Sequence, residues 1–284
     1  MRMKIKWGHH LLRILIVIVL ILLALQLYLL KGAQSHTIPA KRTNVNYSAT
    51  PTLLIPGWGG NSWTYQRLIH RAQKGDVAQK AMTIWVAPNG RVIVKGSLNH
   101  HNPIIQLLYI WNYTSGYEKQ TQQLRRVMFM LHDDYHINKM NVVAHSYGGT
   151  EFFHAYLRSP KLQKDVKVLH LILLGVPVDE SFGRKTRYTP LLVHRSQDQN
   201  FTQLEDAIDR HSLTSIKQID NWMGQTKKGT DGAVPHVQSQ MLKTLLLGQK
   251  VDYHEHIFKH TDHSQLHQRK EILSRLMKVL WNKQ

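Results

Sequence analysis

Cysteine is missing from this sequence, and its absence limits both the stability and the chemistry of the protein. Without cysteine the chain cannot form disulfide bonds, a thiol nucleophile or a thiolate zinc site. A folded domain must therefore depend on its hydrophobic core. A chain of 284 residues is long enough to form one domain with a large core.

Charged residues are missing from one long stretch near the N-terminus. Residues 14–30 are apolar apart from Gln26. At about 1.5 Å per residue, a helix of this length approaches the roughly 30 Å hydrocarbon thickness of a bilayer. We therefore predict a single transmembrane signal anchor at 14–30. A cleaved signal peptide is the alternative, but Lys31 stands where a cleavage site needs a small residue.

The residues before this stretch predict its orientation. They include four basic side chains and no acidic one, namely Arg2, Lys4, Lys6 and Arg13. Positive residues beside a transmembrane helix stay on the cytoplasmic side, so residues 1–13 are expected to form a cytoplasmic tail. The protein is then a single-pass protein of the plasma membrane, and its folded domain is extracellular.

Acidic residues are scarce in the whole chain. Only 18 Asp and Glu residues accompany 37 Lys and Arg residues, which gives a formal net charge of +19. A positive surface attracts polyanions. Outside a cell these are anionic wall polymers and lipid headgroups, so nucleic acid is not expected as a partner. Alternatively, the lysines only keep the protein soluble and bind no specific partner.

The remainder of the chain predicts a short polar stalk at 31–50 and one domain at 51–284. Within the domain, apolar runs typical of buried strands alternate with stretches of helical periodicity. Strands are expected at 51–55, 82–86, 91–95, before Ser146, and at 166–174, 216–223 and 250–258. Helices are expected at 64–74, from a capping box at 115–118 to near 135, from a capping box at 202–205, and at 239–247 and 268–281. This alternation indicates an α/β domain with a mostly parallel central sheet and helices on both faces.

The candidate nucleophile is Ser146, in the stretch AHSYGG at 144–149. Small residues two positions before and after it, Ala144 and Gly148, suit a sharp turn from strand to helix, which is a nucleophile elbow. The N–H of Tyr147 would then face a developing oxyanion at the helix N-terminus. A glycine-rich loop at 56–61 follows an earlier strand, and the N–H of Trp58 is the second oxyanion candidate.

A serine nucleophile needs a base and a carboxylate that orients the base. In this architecture the acid and then the histidine follow the serine, and Asp231 and His263 lie in loops where that order predicts them. Taken alone, Asp231 is better explained as part of a Thr-Asp-Gly turn whose carboxylate caps an N–H. His260 and His267 lie close to His263 in sequence. We expect His267 to belong to the first turn of the last helix, where the helix dipole disfavours a protonated base.

Metal binding is the other interpretation of the histidines. His254 and His256 would share one face of a strand, with His260 nearby. The sequence contains neither an HExxH motif nor cysteine, so we predict a solvated histidine-rich edge and neither a metal nor another cofactor.

The motifs together resemble a known family of membrane-anchored or secreted bacterial α/β-hydrolase-fold proteins, which are largely uncharacterised cell-surface hydrolases. The resemblance rests on GWGGN at 57–61, NPIIQ at 102–106, AHSYGG at 144–149, TDGAVP at 230–235 and HSQLH at 263–267. It implies an α/β-hydrolase fold and a lipase-like or esterase-like serine hydrolase. Ser146, Asp231 and His263 match the triad positions of the family, and Trp58 and Tyr147 match its oxyanion donors.

Two residues depart from the family pattern. Pro56 stands where the family usually has histidine, and Ala144 where it usually has glycine. Neither change removes a catalytic group, so the substrate preference is more affected than the chemistry. The expected activity is hydrolysis of a small-molecule or lipid ester through an acyl-enzyme. Acyl transfer by the same triad and a non-enzymatic module that binds wall polymers are the alternatives. The polar segment 178–213 is either a lid over the site or a set of surface loops.

Overall fold

The computed structural model describes residues 2–210 and 213–283, with side chains from His10 onward. The basic side chains of Arg2, Lys4 and Lys6, and two residues of the segment 178–213, lie outside this description. The helices are α1 (Arg2–Leu29), α2 (Ser62–Lys74), α3 (Glu118–Asp133), α4 (Tyr147–Leu157), α5 (Pro160–Asp165), α6 (Gln199–Arg210), α7 (His236–Gln240), α8 (Leu242–Leu245) and α9 (Lys270–Trp281). The strands are β1 (Thr52–Ile55), β2 (Gln79–Val86), β3 (Val92–Gly96), β4 (Pro103–Tyr109), β5 (Lys139–His145), β6 (Lys167–Leu174), β7 (Ile216–Gln225) and β8 (Asp252–Lys259).

The strands form one eight-stranded sheet in the order β3-β2-β4-β1-β5-β6-β7-β8. Every neighbouring pair is parallel except β2 and β3, which form a hairpin around Asn89-Gly90, a dipeptide that favours a tight turn between two strands. Gly90 adopts a positive φ of 83°, a conformation that glycine reaches without steric cost. Strand β4 carries the NPIIQ motif but was not among the predicted strands. The predicted mostly parallel sheet is confirmed.

Helices cover both faces of the sheet and separate the core into two layers. In β1, Leu53 and Ile55 point into one layer and Leu54 into the other, as the alternation of a strand requires. The helices α2 and α9 pack against the layer that contains Leu54. The helices α3, α4, α6 and α8 pack against the other layer. The parallel strands therefore direct all their carboxyl ends to one edge, where the loops can meet.

Three predictions about helix starts were wrong. Tyr117 is the N-cap of α3 and makes no capping bond, so the box expected at 115–118 does not form. Helix α6 already begins at Gln199, and the hydroxyl of Thr202 donates to the carbonyl of Gln199 within the helix. His267 ends a short 3-10 helix three residues before α9 begins, so it is not in the first turn of the last helix. In each case the helix begins at a different residue from the one that the local sequence predicts.

The N-terminal helix projects from the domain. Its stretch from His10 to Leu29 is 20 residues long, apolar and uncovered by the rest of the structure, and it is long enough to cross a membrane. The segment 31–50, predicted as a polar stalk, lies along the domain. Two residues of this segment, Ile38 and Val45, are buried against the domain, and the N–H of Ile38 donates to the side chain of Gln79.

The segment predicted as a lid or surface loops is partly folded into the core. It contains a 3-10 helix, Pro190–Arg195, followed by the helix α6. Phe201 and Leu204 of α6 are fully buried in the same layer as α4. At its start, Glu180 accepts a hydrogen bond of 2.7 Å from the hydroxyl of Tyr147, next to the candidate nucleophile.

Candidate active site

Ser146 lies in a strained turn between β5 and α4, as predicted for a nucleophile elbow. Its backbone angles are φ 53° and ψ −135°, which few residues other than glycine adopt. Its N–H donates to the carbonyl of Leu174 at the end of the neighbouring strand β6, at 3.0 Å. Close packing leaves no room for larger neighbours. A Cβ on Gly57 would lie 2.6 Å from Ser146 Cβ, and one on Gly148 would lie 2.5 Å from the carbonyl of Pro56.

Asp231 and His263 form a hydrogen-bonded pair although 32 residues separate them. The Nδ1–H of His263 donates to Oδ2 of Asp231 at 2.6 Å. The other carboxylate oxygen, Oδ1, accepts the N–H groups of Ala233 and Val234 at 2.9 and 2.7 Å. Asp231 is only 2% exposed. The carboxylate thus accepts N–H groups of its own turn and also binds the histidine, so Asp231 fits both the turn and the acid position of a triad.

Gly175 connects this pair to the serine. It directly follows Leu174, the residue that fixes the Ser146 backbone, and it has a φ of +60°. A Cβ on Gly175 would lie 2.8 Å from Asp231 Oδ2 and 2.9 Å from His263 Nδ1. Because the pair packs directly on this backbone, only glycine fits between it and the elbow.

The glycine-rich loop is held against the elbow by Asn112. The side-chain amide of Asn112 donates to the carbonyl of Gly57 at 2.7 Å, and the backbone carbonyl of Asn112 accepts the N–H of Gly59 at 2.7 Å. Among the described residues, the N–H of Trp58 has no hydrogen-bond partner. Tyr147 begins α4, and an N–H in the first turn of a helix has no carbonyl within the helix to bond. Both N–H groups are therefore available to a ligand beside Ser146.

Two further histidines pack behind the pair, and their role was not predicted. The Nε2–H of His145 donates to the carbonyl of His263 at 3.1 Å. The ring of His145 lies 4.5 Å from the rings of both His263 and His267. Burial lowers the pKa of His145 well below its usual value and lowers the pKa of His267 to about 4. Both rings are therefore neutral at physiological pH, so they support His263 by packing and hydrogen bonding.

The remaining histidines of interest stay outside the site. His260 is exposed and has a φ of 51°. His254 pairs with Asp252 at 3.0 Å, and the ring of His256 packs on Phe258. Within residues 2–210 and 213–283, no group of three or more acidic or histidine side chains is arranged to hold a metal ion.

Comparison with known proteins identifies the family of this chain. Residues 39–283 match the model of a family described as alpha/beta hydrolase of unknown function (DUF915). The chain belongs to this family. The α/β-hydrolase fold predicted from the sequence is thereby confirmed, and the protein is a hydrolase by family and fold. No curated protein matches the sequence significantly.

Solved structures show the same fold in bacterial proteins. The product of the gene lin2722 from Listeria innocua is 20% identical, with a TM-score of 0.70, and the match covers 81% of this chain and 93% of that one. A protein thought to be a cell surface hydrolase from Lactobacillus plantarum WCFS1 is 18% identical, with a TM-score of 0.62 and coverage of 81% and 89%. The carboxylesterase CesB (YbfK) from Bacillus subtilis overlaps less closely, at 13% identity and a TM-score of 0.45, with coverage of 90% and 95%.

Proposed function

We propose that the protein is a serine hydrolase that cleaves carboxylic esters through an acyl-enzyme on Ser146. The observation that carries the proposal is the 2.6 Å hydrogen bond from His263 to the buried carboxylate of Asp231, packed on the turn that holds Ser146. This bond leaves Nε2 of His263 without its proton and able to accept one, as a general base must. Asp231 orients the ring and stabilises its protonated form.

The reaction proceeds in two steps, acylation of Ser146 and deacylation by water. Ser146 Oγ attacks the ester carbonyl and gives its proton to His263 Nε2, and the N–H groups of Trp58 and Tyr147 hold the oxyanion. The bond to the alcohol breaks, and His263 returns the proton to the departing alcohol. Water then attacks the acyl-enzyme in the same way and releases the carboxylic acid. If an alcohol replaced this water, the same site would transfer the acyl group instead.

A fluorophosphonate probe tests the nucleophile. Wild-type protein should be labelled on Ser146, and Ser146→Ala should stay folded but lose at least about 100-fold in kcat/KM on a short ester. A matched control is Ser264→Ala, an exposed serine beside the base that takes no part in the mechanism. A folded wild-type protein that neither reacts with the probe nor cleaves any ester would favour the non-enzymatic binding module.

The N-terminal helix supports a further part of the proposal, that residues 51–284 form a hydrolase domain anchored at the plasma membrane with the N-terminus in the cytoplasm. The four basic residues before the apolar stretch support this orientation. The positive exterior would then meet anionic wall polymers or headgroups. Protease added to intact cells should digest the domain and spare the tail. Recovery of a mature protein that starts near Gln34 would contradict the anchor.

A further inference from the structure

Five exposed aromatic side chains cluster at one end of the domain, and we call them the aromatic collar: Tyr28, Trp58, Trp63, Trp111 and Tyr113. Each is between 44% and 58% exposed. The ring of Tyr113 lies 5.5 Å from those of Trp58 and Trp111, and the ring of Tyr28 lies 6.2 Å from that of Trp63. An exposed apolar surface of this kind marks a site that binds a protein, a membrane or a ligand.

The collar continues directly into the N-terminal helix. The side chain of Gln26 donates to the carbonyl of Ile110 at 2.8 Å, and the indole of Trp85 donates to the carbonyl of Leu30 at 2.8 Å. Gln26 lies three residues before the end of α1 at Leu29, which is about 5 Å along the helix axis. The loop after β4, which contains Trp111 and Tyr113, therefore lies level with the last turn of the helix.

The course of the following segment shows which edge of the sheet is near the helix. From the carboxyl edge the chain crosses the sheet, where the N–H of Ala33 binds the side chain of Gln106 and the hydroxyl of Ser35 binds the carbonyl of Lys80 near the start of β2. It then enters β1 at the amino edge. The carboxyl edge, where Ser146 lies, is consequently the edge beside the end of α1.

The two loops of the collar have the composition of a membrane interface. Although 19% of the chain is charged, the loop residues 56–61 and 110–117, and the first residues of α2 at 62–66, contain no Lys, Arg, Asp or Glu. Tryptophan and tyrosine favour the boundary between headgroups and acyl chains, because their rings are apolar and their N–H or O–H groups remain hydrated. Lys31, two residues after the end of α1, suits the same boundary.

We propose that the aromatic collar lies in the outer headgroup layer of the membrane, so that the site at Ser146 opens onto the bilayer and takes acyl esters of membrane glycerolipids. Trp58 connects the two parts, since its ring is in the collar and it directly follows Gly57, which packs against Ser146. A lipid ester carbonyl lies at the depth of this boundary and reaches Ser146 without crossing water. The substrate class rests on the proposed ester hydrolysis, whereas the docking of the collar on the membrane does not.

Nitroxide labels test the docking in the full chain. Because the protein has no cysteine, Trp111→Cys and Trp63→Cys each provide a single labelling site. Leu247→Cys is the matched control, a residue 61% exposed in the connection that leads into the amino end of β8. In vesicles of phosphatidylglycerol and phosphatidylethanolamine, the collar labels should be more accessible to oxygen than to a water-soluble nickel complex. The label at 247 should show the reverse.

Kinetics on the same vesicles test the substrate class. The double variant Trp63→Ser/Trp111→Ser should cleave p-nitrophenyl butyrate within about 2-fold of wild type. Its release of oleate from dioleoylglycerol and dioleoyl phosphatidylglycerol in vesicles should fall at least about 10-fold. Leu247→Ser should leave both activities unchanged, and circular dichroism should show every variant folded.

The two measurements separate the possible failures. Collar labels that are accessible to the nickel complex, or shielded from both reagents by a protein partner, overturn the docking even if the soluble ester is cleaved. Failure of the wild-type protein to release oleate overturns the lipid substrate, and equal loss of both activities, or none, in the double variant overturns access to the lipid through the collar. Membrane-like labels on a protein that cleaves neither ester support the docking and refute the ester hydrolysis.

Discussion

Replacing Gly175 with alanine should disable the proposed site while leaving the fold intact. The added Cβ would lie 2.8 Å from Asp231 Oδ2 and 2.9 Å from His263 Nδ1, the two atoms joined by the 2.6 Å hydrogen bond. Asp231 cannot retreat easily, because its second oxygen accepts the N–H groups of Ala233 and Val234. His263 must therefore move, and the bond that orients it lengthens or breaks.

The expected magnitudes follow from the geometry. Alanine at a φ of +60° costs about 1–2 kcal/mol of folding free energy, and the crowding adds a cost of about 1–3 kcal/mol. In the serine-protease template, disturbing the bond between acid and histidine lowers kcat by about 10⁴. We expect a loss of at least about 100-fold in kcat, or roughly 2.7 kcal/mol in the barrier. KM should change little, because the methyl group touches the pair and not the substrate.

The assay compares Gly175→Ala with Gly248→Ala on p-nitrophenyl butyrate, together with thermal unfolding of both variants. Gly248 has a similar φ of +77°, and a Cβ there meets no atom within 4 Å. It therefore reports the backbone cost alone and should keep wild-type turnover. If Gly175→Ala remained folded and fully active, the pair of Asp231 and His263 would not be needed for turnover and the mechanism would be refuted.

Two further predictions concern histidines. His263→Ala should abolish ester turnover, whereas His260→Ala and His267→Ala should retain at least about a tenth of it, a gap of over 1.4 kcal/mol in the barrier; wild-type turnover by His263→Ala would show that the base is misassigned. Burial lowers the pKa of His154 from 6.5 to about 4, so the folded state favours its neutral form. The stability it contributes is complete above pH 6.5 and is lost as the pH falls towards 4. His154→Phe should therefore reduce the fall in Tm between these pH values, while the exposed His70→Phe should not, and an unchanged fall in His154→Phe would contradict the role of burial.

Much of the fold could be predicted from the sequence because it depends on nearby residues. The hairpin at Asn89-Gly90 follows from the backbone freedom of glycine, and the strands follow from continuous apolar runs. The elbow at Ser146 was predicted on the same basis, since small residues around a serine suit a sharp turn. Local motifs were less reliable at helix starts. Thr202 fits a capping box, yet α6 begins at Gln199, after Asp198, whose carboxylate accepts the N–H of Asn200.

The order of Asp231 and His263 after the serine was a sequence prediction, but their contact depends on the whole sheet. Three connections reach the same edge only because β5, β6, β7 and β8 lie side by side and parallel. The same arrangement places Gly175 under the pair and His145 behind it, and neither role has a local motif.

The sequence by itself determined the apolar N-terminal stretch, the absence of thiol chemistry, the α/β alternation and the identities of the candidate reactive residues. These properties depend on composition and on periodicity within a few residues. The tertiary structure decided the contact between Asp231 and His263 and the position of the aromatic collar beside the end of α1. Both depend on contacts between distant segments, such as the 84 residues that separate Gln26 from Ile110, whose meeting is set by strand order and packing.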